Sequence, residues 1–209
     1  MSACVVGLCG PIGAGKSQFA RVACELGWET VDVDKLAHSL YAPGTGLSQA
    51  IFAAFGEGVR HPDGSVDRKA LGATVFADAT RMKELEALVH PAVHREMDAL
   101  LERARREGTR LVLEAAILPR RPEFCRRLDA VVAVTAPQAL RLERVMARDG
   151  LDRDAAQARL ARAVSPEMIA ACATHVLDND LDTVAFRERC LALLEKLTVV
   201  GTPMAEFTK

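Results

Sequence analysis

The sequence predicts an α/β fold in which a parallel five-stranded sheet is flanked by helices. Two observations support this prediction: short apolar runs that are continuous rather than alternating, and helical periodicity between those runs. Continuous apolar runs are typical of strands buried on both faces, as in parallel sheets. The chain has 209 residues, which is enough for a single domain with a sizeable core.

The first strand is expected at Cys4–Cys9, where nearly all residues are apolar. A glycine-rich turn follows it, and apolar side chains then recur at helical spacing over residues 16–26 until Gly27 ends the helix. The second strand is expected over residues 28–33. A strand, a helix and a second strand in this order predict a right-handed βαβ crossover.

Residues 34–106 have a mostly helical pattern and are expected to form an insertion beside the sheet. Pro43 and Gly44 separate two short helices near its start. A long helix is expected over residues 81–106, with a kink or a restart at Pro91, because proline removes an interior helical hydrogen bond.

Buried apolar runs return at residues 110–114 and 129–135, and each predicts a further strand. Residues 174–177 are expected to form a last short strand. Helical patterns lie between and after these strands, at residues 138–148, 151–163 and 184–197. Asp152 is a candidate N-cap, and Ser165 followed by Pro166 is a further helix start. The segment 201–209 has no periodicity.

Composition and charge restrict the partners that the chain is expected to have. The formal net charge at pH 7 is −1, which argues against duplex DNA or an anionic membrane as an electrostatic partner. No apolar run approaches the roughly 18 residues that cross a bilayer, and the first residues lack a signal pattern. The six cysteines include no Cys-x-x-Cys pair. We expect a reduced, soluble, cytoplasmic protein that is a monomer or a weak homo-oligomer.

Residues 10–17 carry the strongest functional signal of the chain. They read Gly-Pro-Ile-Gly-Ala-Gly-Lys-Ser, which matches G-x-x-x-x-G-K-[ST] between a predicted strand and a predicted helix. Glycines let backbone N–H groups converge on phosphate oxygens, and the helix amino terminus adds its positive dipole end. A P-loop for a nucleoside triphosphate is therefore predicted. The residues expected to contact the nucleotide are Gly13, Ala14, Gly15, Lys16, Ser17 and Gln18.

Two of these residues are expected to do more than contact phosphate. Lys16 is expected to reach the β- and γ-phosphates and to act in catalysis, whereas the Ser17 hydroxyl is expected to ligate Mg²⁺. Glu114 ends the third predicted strand, where a carboxylate can act through Mg²⁺, so it is a second candidate metal ligand. The alternative for Glu114 is a solvated strand end.

Asp32 and Asp34 lie at the end of the second predicted strand. In a parallel sheet this end faces the same crevice as the P-loop. A carboxylate there could accept the proton of an attacking hydroxyl or hold a magnesium-bound water. One of the two could instead cap the next helix, and Asp34 is the stronger candidate for function.

Arginines cluster late in the chain. Arg141, Arg144 and Arg148 are spaced three and four residues apart and therefore share one helix face. Asp149-Gly150 then turns the chain toward further arginines at positions 153, 159 and 162. This pattern predicts a helical lid that closes over the triphosphate and offers charge to the transferred phosphoryl group, with Arg144 and Arg148 as catalytic candidates. The alternative is a solvated face paired with Glu143 and nearby aspartates.

Several segments together resemble the dephospho-CoA kinase family, from Val5 to about Asn179. The longest are residues 7–17, Asp32-Val-Asp-Lys-Leu-Ala-His38, Asp63-Gly-Ser-Val-Asp-Arg68, Val89-His-Pro-Ala-Val93, Arg144-Val-Met-Ala-Arg-Asp149 and Val176-Leu-Asp-Asn179. Shorter matches lie at Pro43-Gly44, Phe55-Gly56 and Val75-Phe76. The P-loop alone would not single out this family, whereas the His90-Pro91 segment and the Asp32/Asp34 segment together nearly do.

The resemblance implies a kinase that uses ATP and Mg²⁺ to phosphorylate the ribose 3′-hydroxyl of dephospho-CoA. It also implies that Asp34 is the general base and that a lid arginine lies over the transferred phosphate. The helical insertion would hold the CoA portion, with His90 and Arg95 as candidates for that pocket. The alternative for His90 is a histidine at a helix start that is hydrogen-bonded to backbone. The alternative for Arg95 is a solvated position on a helix.

The expected organisation is a single P-loop kinase domain over residues 1–209. Its three parts are a nucleotide-binding core (1–33, 107–147 and 174–200), a helical acceptor-binding insertion (34–106) and a lid (148–173).

The chain departs from the family's usual pattern at several positions. Cys9 stands where the family usually has Thr, residues 116–120 replace Pro-Leu-Leu-Phe-Glu, and Ala163, Ile169 and Thr174 replace Gln, Lys and Asp. Two alternatives stand beside the leading interpretation: another small-molecule or nucleotide kinase of this fold, and a non-catalytic nucleotide-binding relative. A GTPase is least favoured, because the chain has no Asn-Lys-x-Asp segment.

Overall fold

A computed structural model describes residues 3–116, 118–161, 164–180 and 182–199. Within these residues, five strands form one parallel sheet in the order β2-β3-β1-β4-β5. The strands are β1 (Cys4–Cys9), β2 (Glu29–Asp32), β3 (Arg110–Glu114), β4 (Ala130–Thr135) and β5 (His175–Asp178). The predicted fold class, a parallel five-stranded sheet flanked by helices, is therefore confirmed.

The chain divides into two compact units, Met1–Asp32 with Arg103–Lys209 and Val33–Glu102. The helices that accompany the sheet in the first unit are α1 (Lys16–Glu25), α6 (Pro122–Cys125), α7 (Gln138–Asp149), α8 (Arg153–Ala161), α9 (Pro166–Cys172) and α10 (Thr183–Val199). The second unit begins with α2 (Val33–Leu40), α3 (Gly46–Phe55) and α4 (Arg68–Ala77), and most of α5 (Ala79–Glu107) belongs to it.

Strand β1 lies at the centre of the sheet, and all six of its residues are buried. Alternate side chains of a strand point to opposite faces, and Val6 and Leu8 pack in one cluster with Phe19 of α1 and Phe186 of α10. Each such side chain contributes about 1.5–3 kcal/mol when fully buried. This continuous burial explains why the sequence shows an apolar run here rather than an alternating pattern.

The unit Val33–Glu102 has its own apolar cluster, which includes Ile51, Phe52, Val59, Leu71 and Val75. Side chains define where its helices begin. The Thr45 hydroxyl accepts a hydrogen bond from the Ser48 N–H at 3.1 Å, and Asp67 caps α4 in the same way.

Two predicted helix starts are confirmed, whereas the restart expected at Pro91 does not occur. The predicted N-caps Asp152 and Ser165 are confirmed, since their side chains accept N–H bonds from Ala155 and Met168. In contrast, α5 runs through Pro91 without a restart. Val93, Met97 and Leu101 are buried at four-residue spacing after the proline, so burial along one face outweighs the single lost hydrogen bond.

Two further boundaries differ slightly from the sequence-based expectation. Strand β2 ends at Asp32, and Val33 already begins α2, where its side chain is buried. The helix expected over 151–163 is α8, and Ala163 lies outside the described residues. Among the described helices, none is both long enough and apolar enough to cross a bilayer.

Candidate active site

The P-loop connects β1 to α1, and its backbone favours glycine at Gly15, which the motif specifies, and at Gly13, which stands at a variable position of the motif. Gly13 and Gly15 have φ angles of 78° and 108°, a region that favours glycine. A Cβ atom on Gly15 would lie 2.1 Å from Nδ2 of Asn179, and one on Gly13 would lie 2.8 Å from the Arg141 carbonyl oxygen. The loop therefore packs closely against Asn179, the residue after β5, and against Arg141 of α7.

The three residues after Gly15 begin α1 and have different environments. Lys16 is largely covered, with 16% of its side chain exposed, and its Nζ lies 3.5 Å from the Pro11 carbonyl oxygen. Ser17 is exposed. Gln18 donates from Nε2 to the Thr183 carbonyl oxygen at 3.1 Å and therefore ties α1 to the start of α10.

Two carboxylates lie at the carboxyl edge of the sheet. Asp32 and Glu114 are direct register partners in the β2–β3 pair, and Glu114 also pairs with Leu8 of β1. Glu114 Oε1 lies 4.0 Å from Lys16 Nζ, so the end of β3 and the start of α1 meet through this pair. Asp34 lies in the first turn of α2 and is exposed.

The structure separates the two candidate arginines of α7. Arg144 contacts the loop, because Nη1 donates to the Gly13 carbonyl oxygen at 3.3 Å and Nη2 donates to Asn179 Oδ1 at 3.2 Å. Arg148 is exposed and forms two hydrogen bonds with Asp149, at 2.8 and 2.9 Å.

Asp149 joins two arginines at the surface. Its hydrogen bonds with Arg148 hold the pKa of the Asp149 carboxyl below its usual value, and the same bonds raise the pKa of Arg148. Arg159 of α8 also reaches Asp149 Oδ2, at 3.0 Å. Arg162 lies outside the described residues.

His90 and Arg95, the predicted acceptor-site residues, both lie on α5. His90 is half-buried, and its ring stacks on that of His94 with centroids 5.8 Å apart and an interplanar angle of 19°. Arg95 is exposed. The sequence-based interpretation did not single out His94, although its spacing of one helical turn from His90 was a usable signal.

Cys9, which departs from the family's usual Thr, is fully buried. Burial raises the pKa of its thiol far above the usual value, and the neighbouring Cys172 thiol of α9 raises it further. Cys9 alternates with Leu8, so it faces the side of the sheet opposite α1 and α10. Its side chain therefore belongs to the packing between β1 and α9.

The other departures from the family's pattern, where they fall in described residues, take part in packing or in backbone hydrogen bonds. Ile169 of α9 is buried at 6% exposure, and Thr174 forms hydrogen bonds with both the N–H and the carbonyl of Val131. In the segment 116–120, Leu118 and Pro119 are buried, and residue 117 lies outside the described residues.

Asn179 follows β5. The sequence-based interpretation used it only as part of the family resemblance and assigned it no role. It is one of two buried polar side chains among the described residues, the other being Ser48. Its Nδ2 donates to the Ala14 carbonyl oxygen at 2.8 Å, which places it directly against the P-loop. A polar residue directly after a predicted short strand was the available signal.

The residues at this edge fit a magnesium ion bound together with nucleotide phosphates. Mg²⁺ usually takes one or two protein oxygens and completes its shell with waters and substrate phosphates. Ser17 and Glu114 carry side-chain oxygens of the kind that Mg²⁺ prefers, at the start of α1 and the end of β3. The described part of the chain contains no cluster of three or more His, Cys, Asp or Glu side chains suited to a metal.

A parallel sheet with a glycine-rich phosphate loop between β1 and α1 is typical of P-loop nucleotide-binding proteins, and the solved kinases that the chain resembles show that its fold is the P-loop kinase fold. A shikimate kinase from Acinetobacter baumannii shares this fold, with a TM-score of 0.55 at 20% identity over 94% of each chain.

The comparisons then identify the family. The family model for dephospho-CoA kinase matches residues 4–184, and the chain belongs to this family. A dephospho-CoA kinase of Geobacter sulfurreducens is 41% identical over 176 residues, which are 84% of this chain and 89% of the relative. A crystal structure of a Thermus thermophilus protein has a TM-score of 0.77 at 34% identity, covering 94% of this chain and 99% of the other.

Proposed function

We propose that the chain transfers the γ-phosphoryl group of ATP to the ribose 3′-hydroxyl of dephospho-CoA, which gives CoA and ADP. The observation that carries this proposal is the family match over residues 4–184, which includes the whole P-loop. The dephospho-CoA kinase family uses ATP as the phosphate donor.

The P-loop supports the donor side of this reaction. Backbone N–H groups of a loop turned at Gly13 and Gly15 converge on phosphate oxygens, and the amino end of α1 adds a positive dipole. Lys16 is the cation of the loop, and its low exposure strengthens its field at the phosphates. These groups would stabilise the negative charge on the transferred phosphoryl group, which is the main requirement of phosphoryl transfer.

Ser17 and Glu114 are the residues that would hold Mg²⁺. When bound, the ion neutralises charge on the nucleotide phosphates. Glu114 Oε1 also lies 4.0 Å from Lys16 Nζ, so the carboxylate would orient the lysine side chain as well as bind the metal ion.

The acceptor side rests on Asp34, His90 and Arg95. Asp34 would accept the proton of the ribose hydroxyl, and His90 and Arg95 would contact the CoA portion of the acceptor. Arg144 and Arg148 would supply positive charge to the transferred group; Arg144 is already held by the loop carbonyl of Gly13. The cytoplasmic location and the monomeric or weakly oligomeric state stay predictions from the sequence.

The proposed function is tested by measuring ADP release with and without acceptor. We expect ADP release that depends on dephospho-CoA and yields CoA with a phosphate on the 3′ position, identified by mass spectrometry and phosphorus NMR. Nucleosides, nucleoside monophosphates and shikimate serve as comparison acceptors. Faster turnover with one of these would indicate a different small-molecule kinase, and ATP binding without turnover on any acceptor would indicate a non-catalytic relative.

Replacement of Glu114 by glutamine tests the metal site. We expect the Mg²⁺ concentration for half-maximal activity to rise on the order of ten-fold, because a neutral amide is a weaker ligand than a carboxylate. The measurement is a Mg²⁺ titration at saturating ATP. Glu188→Gln, an exposed position on α10, is the matched control and should keep the wild-type Mg²⁺ requirement. An unchanged requirement in Glu114→Gln would remove Glu114 from the metal site.

A further inference from the structure

Asn179 forms hydrogen bonds with three residues that are distant from it in sequence. Its backbone N–H donates to the Thr135 carbonyl oxygen at 2.7 Å, its Nδ2 donates to the Ala14 carbonyl oxygen at 2.8 Å, and its Oδ1 accepts from Arg144 Nη2 at 3.2 Å. With 2% exposure, it forms these bonds away from water. Buried hydrogen bonds of this kind are costly to leave unmade, so the side chain is held in one orientation.

The chemistry of the two side-chain partners defines which way the amide faces. A carbonyl oxygen can only accept, and a guanidinium can only donate. The amide NH₂ must therefore face Ala14 and the amide oxygen must face Arg144. Exchange of the two amide atoms would place oxygen against oxygen and nitrogen against nitrogen.

These contacts orient the peptide groups of the P-loop. A peptide bond is planar and trans, so its carbonyl and its N–H point in opposite directions. Because Asn179 holds the Ala14 carbonyl, the Gly15 N–H of the same peptide group points away from Asn179. Arg144 holds the preceding carbonyl, that of Gly13, from the same network. Carbonyls held on one side leave N–H groups for an anion on the other.

Gly15 is the position that lets Asn179 approach the loop so closely. A Cβ atom there would lie 2.1 Å from Asn179 Nδ2 and 3.6 Å from the ring of Phe186. Gly15 and Asn179 are therefore complementary: the missing side chain of Gly15 leaves a space, and the Asn179 amide fills that space with a hydrogen-bond donor.

We infer that Asn179 is a positioning residue for nucleotide binding, which holds the loop carbonyls and Arg144 in the arrangement that accepts phosphates. The inference rests on the proposed function in naming ATP and ADP as the ligands. Asn179 acts through the loop and not on the acceptor. Its loss should therefore weaken nucleotide binding and leave the interaction with dephospho-CoA largely unchanged.

The test compares Asn179→Ala and Asn179→Asp with the wild-type chain. ADP affinity is measured by calorimetry well below the unfolding temperature of each protein, and KM is measured for ATP and for dephospho-CoA. For Asn179→Ala we expect ADP affinity to fall and KM for ATP to rise about ten-fold, the effect of an unsatisfied buried acceptor. KM for dephospho-CoA should stay within about two-fold of the wild-type value, because the substitution does not change the contacts that bind the acceptor.

Asn179→Asp is the isosteric variant in case the alanine variant does not fold. It keeps an acceptor for Arg144 but loses the donor to Ala14. We expect ADP affinity to fall in this variant too, because a carboxylate would then face the Ala14 carbonyl oxygen. Asp180→Asn is the matched control; Asp180 is exposed, pairs with Arg189 at 3.0 Å, and should leave both affinities at their wild-type values.

A double-mutant cycle with Arg144→Ala separates positioning from simple stabilisation. If Asn179 acts through the shared network, the two substitutions will be non-additive in ADP affinity. Wild-type ADP affinity in both Asn179 variants, with only a lowered unfolding temperature, would overturn the inference. A wild-type chain that binds ADP but does not phosphorylate dephospho-CoA would instead overturn the proposed function, while the ADP measurements would still test Asn179.

Discussion

Replacement of Lys16 by methionine is expected to lower ATP-dependent phosphorylation of dephospho-CoA by about two to three orders of magnitude. Removal of one preorganised charge or donor from a developing anion costs about that much in kcat. Lys16 begins α1 with 16% of its side chain exposed, and methionine has a similar length without the charge. The effect should appear in kcat at saturating ATP, because the charge on the transferred group increases as the reaction proceeds.

The measurement is a steady-state ADP-release assay, with thermal unfolding of both proteins to confirm that the variant is folded. Loss of Lys16 leaves Glu114 without the cation at 4.0 Å, so a small change in unfolding temperature is expected. Lys196→Met is the matched control, since Lys196 is exposed in the last turn of α10, whereas it is the first residue of that helix that binds Gln18 beside the loop. A Lys16 variant with kcat within a few-fold of wild type would contradict the assigned role.

Replacement of Asp34 by asparagine is expected to lower kcat by about two to four orders of magnitude, the usual contribution of a general base. Asparagine keeps the size of the side chain but cannot accept the proton of the ribose hydroxyl. Asp34 lies in the first turn of α2, outside the P-loop sequence, so ADP affinity should stay near the wild-type value. The measurements are kcat for dephospho-CoA and ADP affinity by calorimetry.

Asp32→Asn is the informative comparison for this prediction. Asp32 ends β2 and is paired in register with Glu114, whereas Asp34 is already helical. If Asp34 is the base, its variant should lose far more activity than the Asp32 variant. The reverse order of effects would move the base to Asp32, and full activity in both variants would remove this segment from the chemistry.

The fold and the phosphate loop could be predicted from the sequence because both depend on local patterns. The apolar run Cys4–Cys9 is typical of a strand buried on both faces, and Gly13 and Gly15 mark backbone angles that other residues rarely adopt. The N-caps Asp152 and Ser165 were equally local, since each binds an N–H within the next turn. The family match over residues 4–184 agrees with the resemblance based on those motifs.

Predictions about individual side chains at the site were less complete, because sequence spacing does not show what a side chain contacts across the fold. The shared helix face of Arg144 and Arg148 was visible, but their different partners were not. Arg144 donates to the Gly13 carbonyl of the loop, whereas Arg148 binds its own neighbour Asp149. The restart expected at Pro91 does not occur for the same reason, since the burial that supports α5 comes from tertiary packing.

The sequence by itself determined the strands, the phosphate loop and the family, because periodicity, glycine positions and motif order are properties of neighbouring residues. Only the tertiary structure decided which distant groups complete the loop. The bond from Asn179 to Ala14 joins residues 165 positions apart, and it forms because β5 ends beside β4 and next to the turn at Gly15. No local pattern encodes such a contact, since it depends on how the strands are ordered in the sheet.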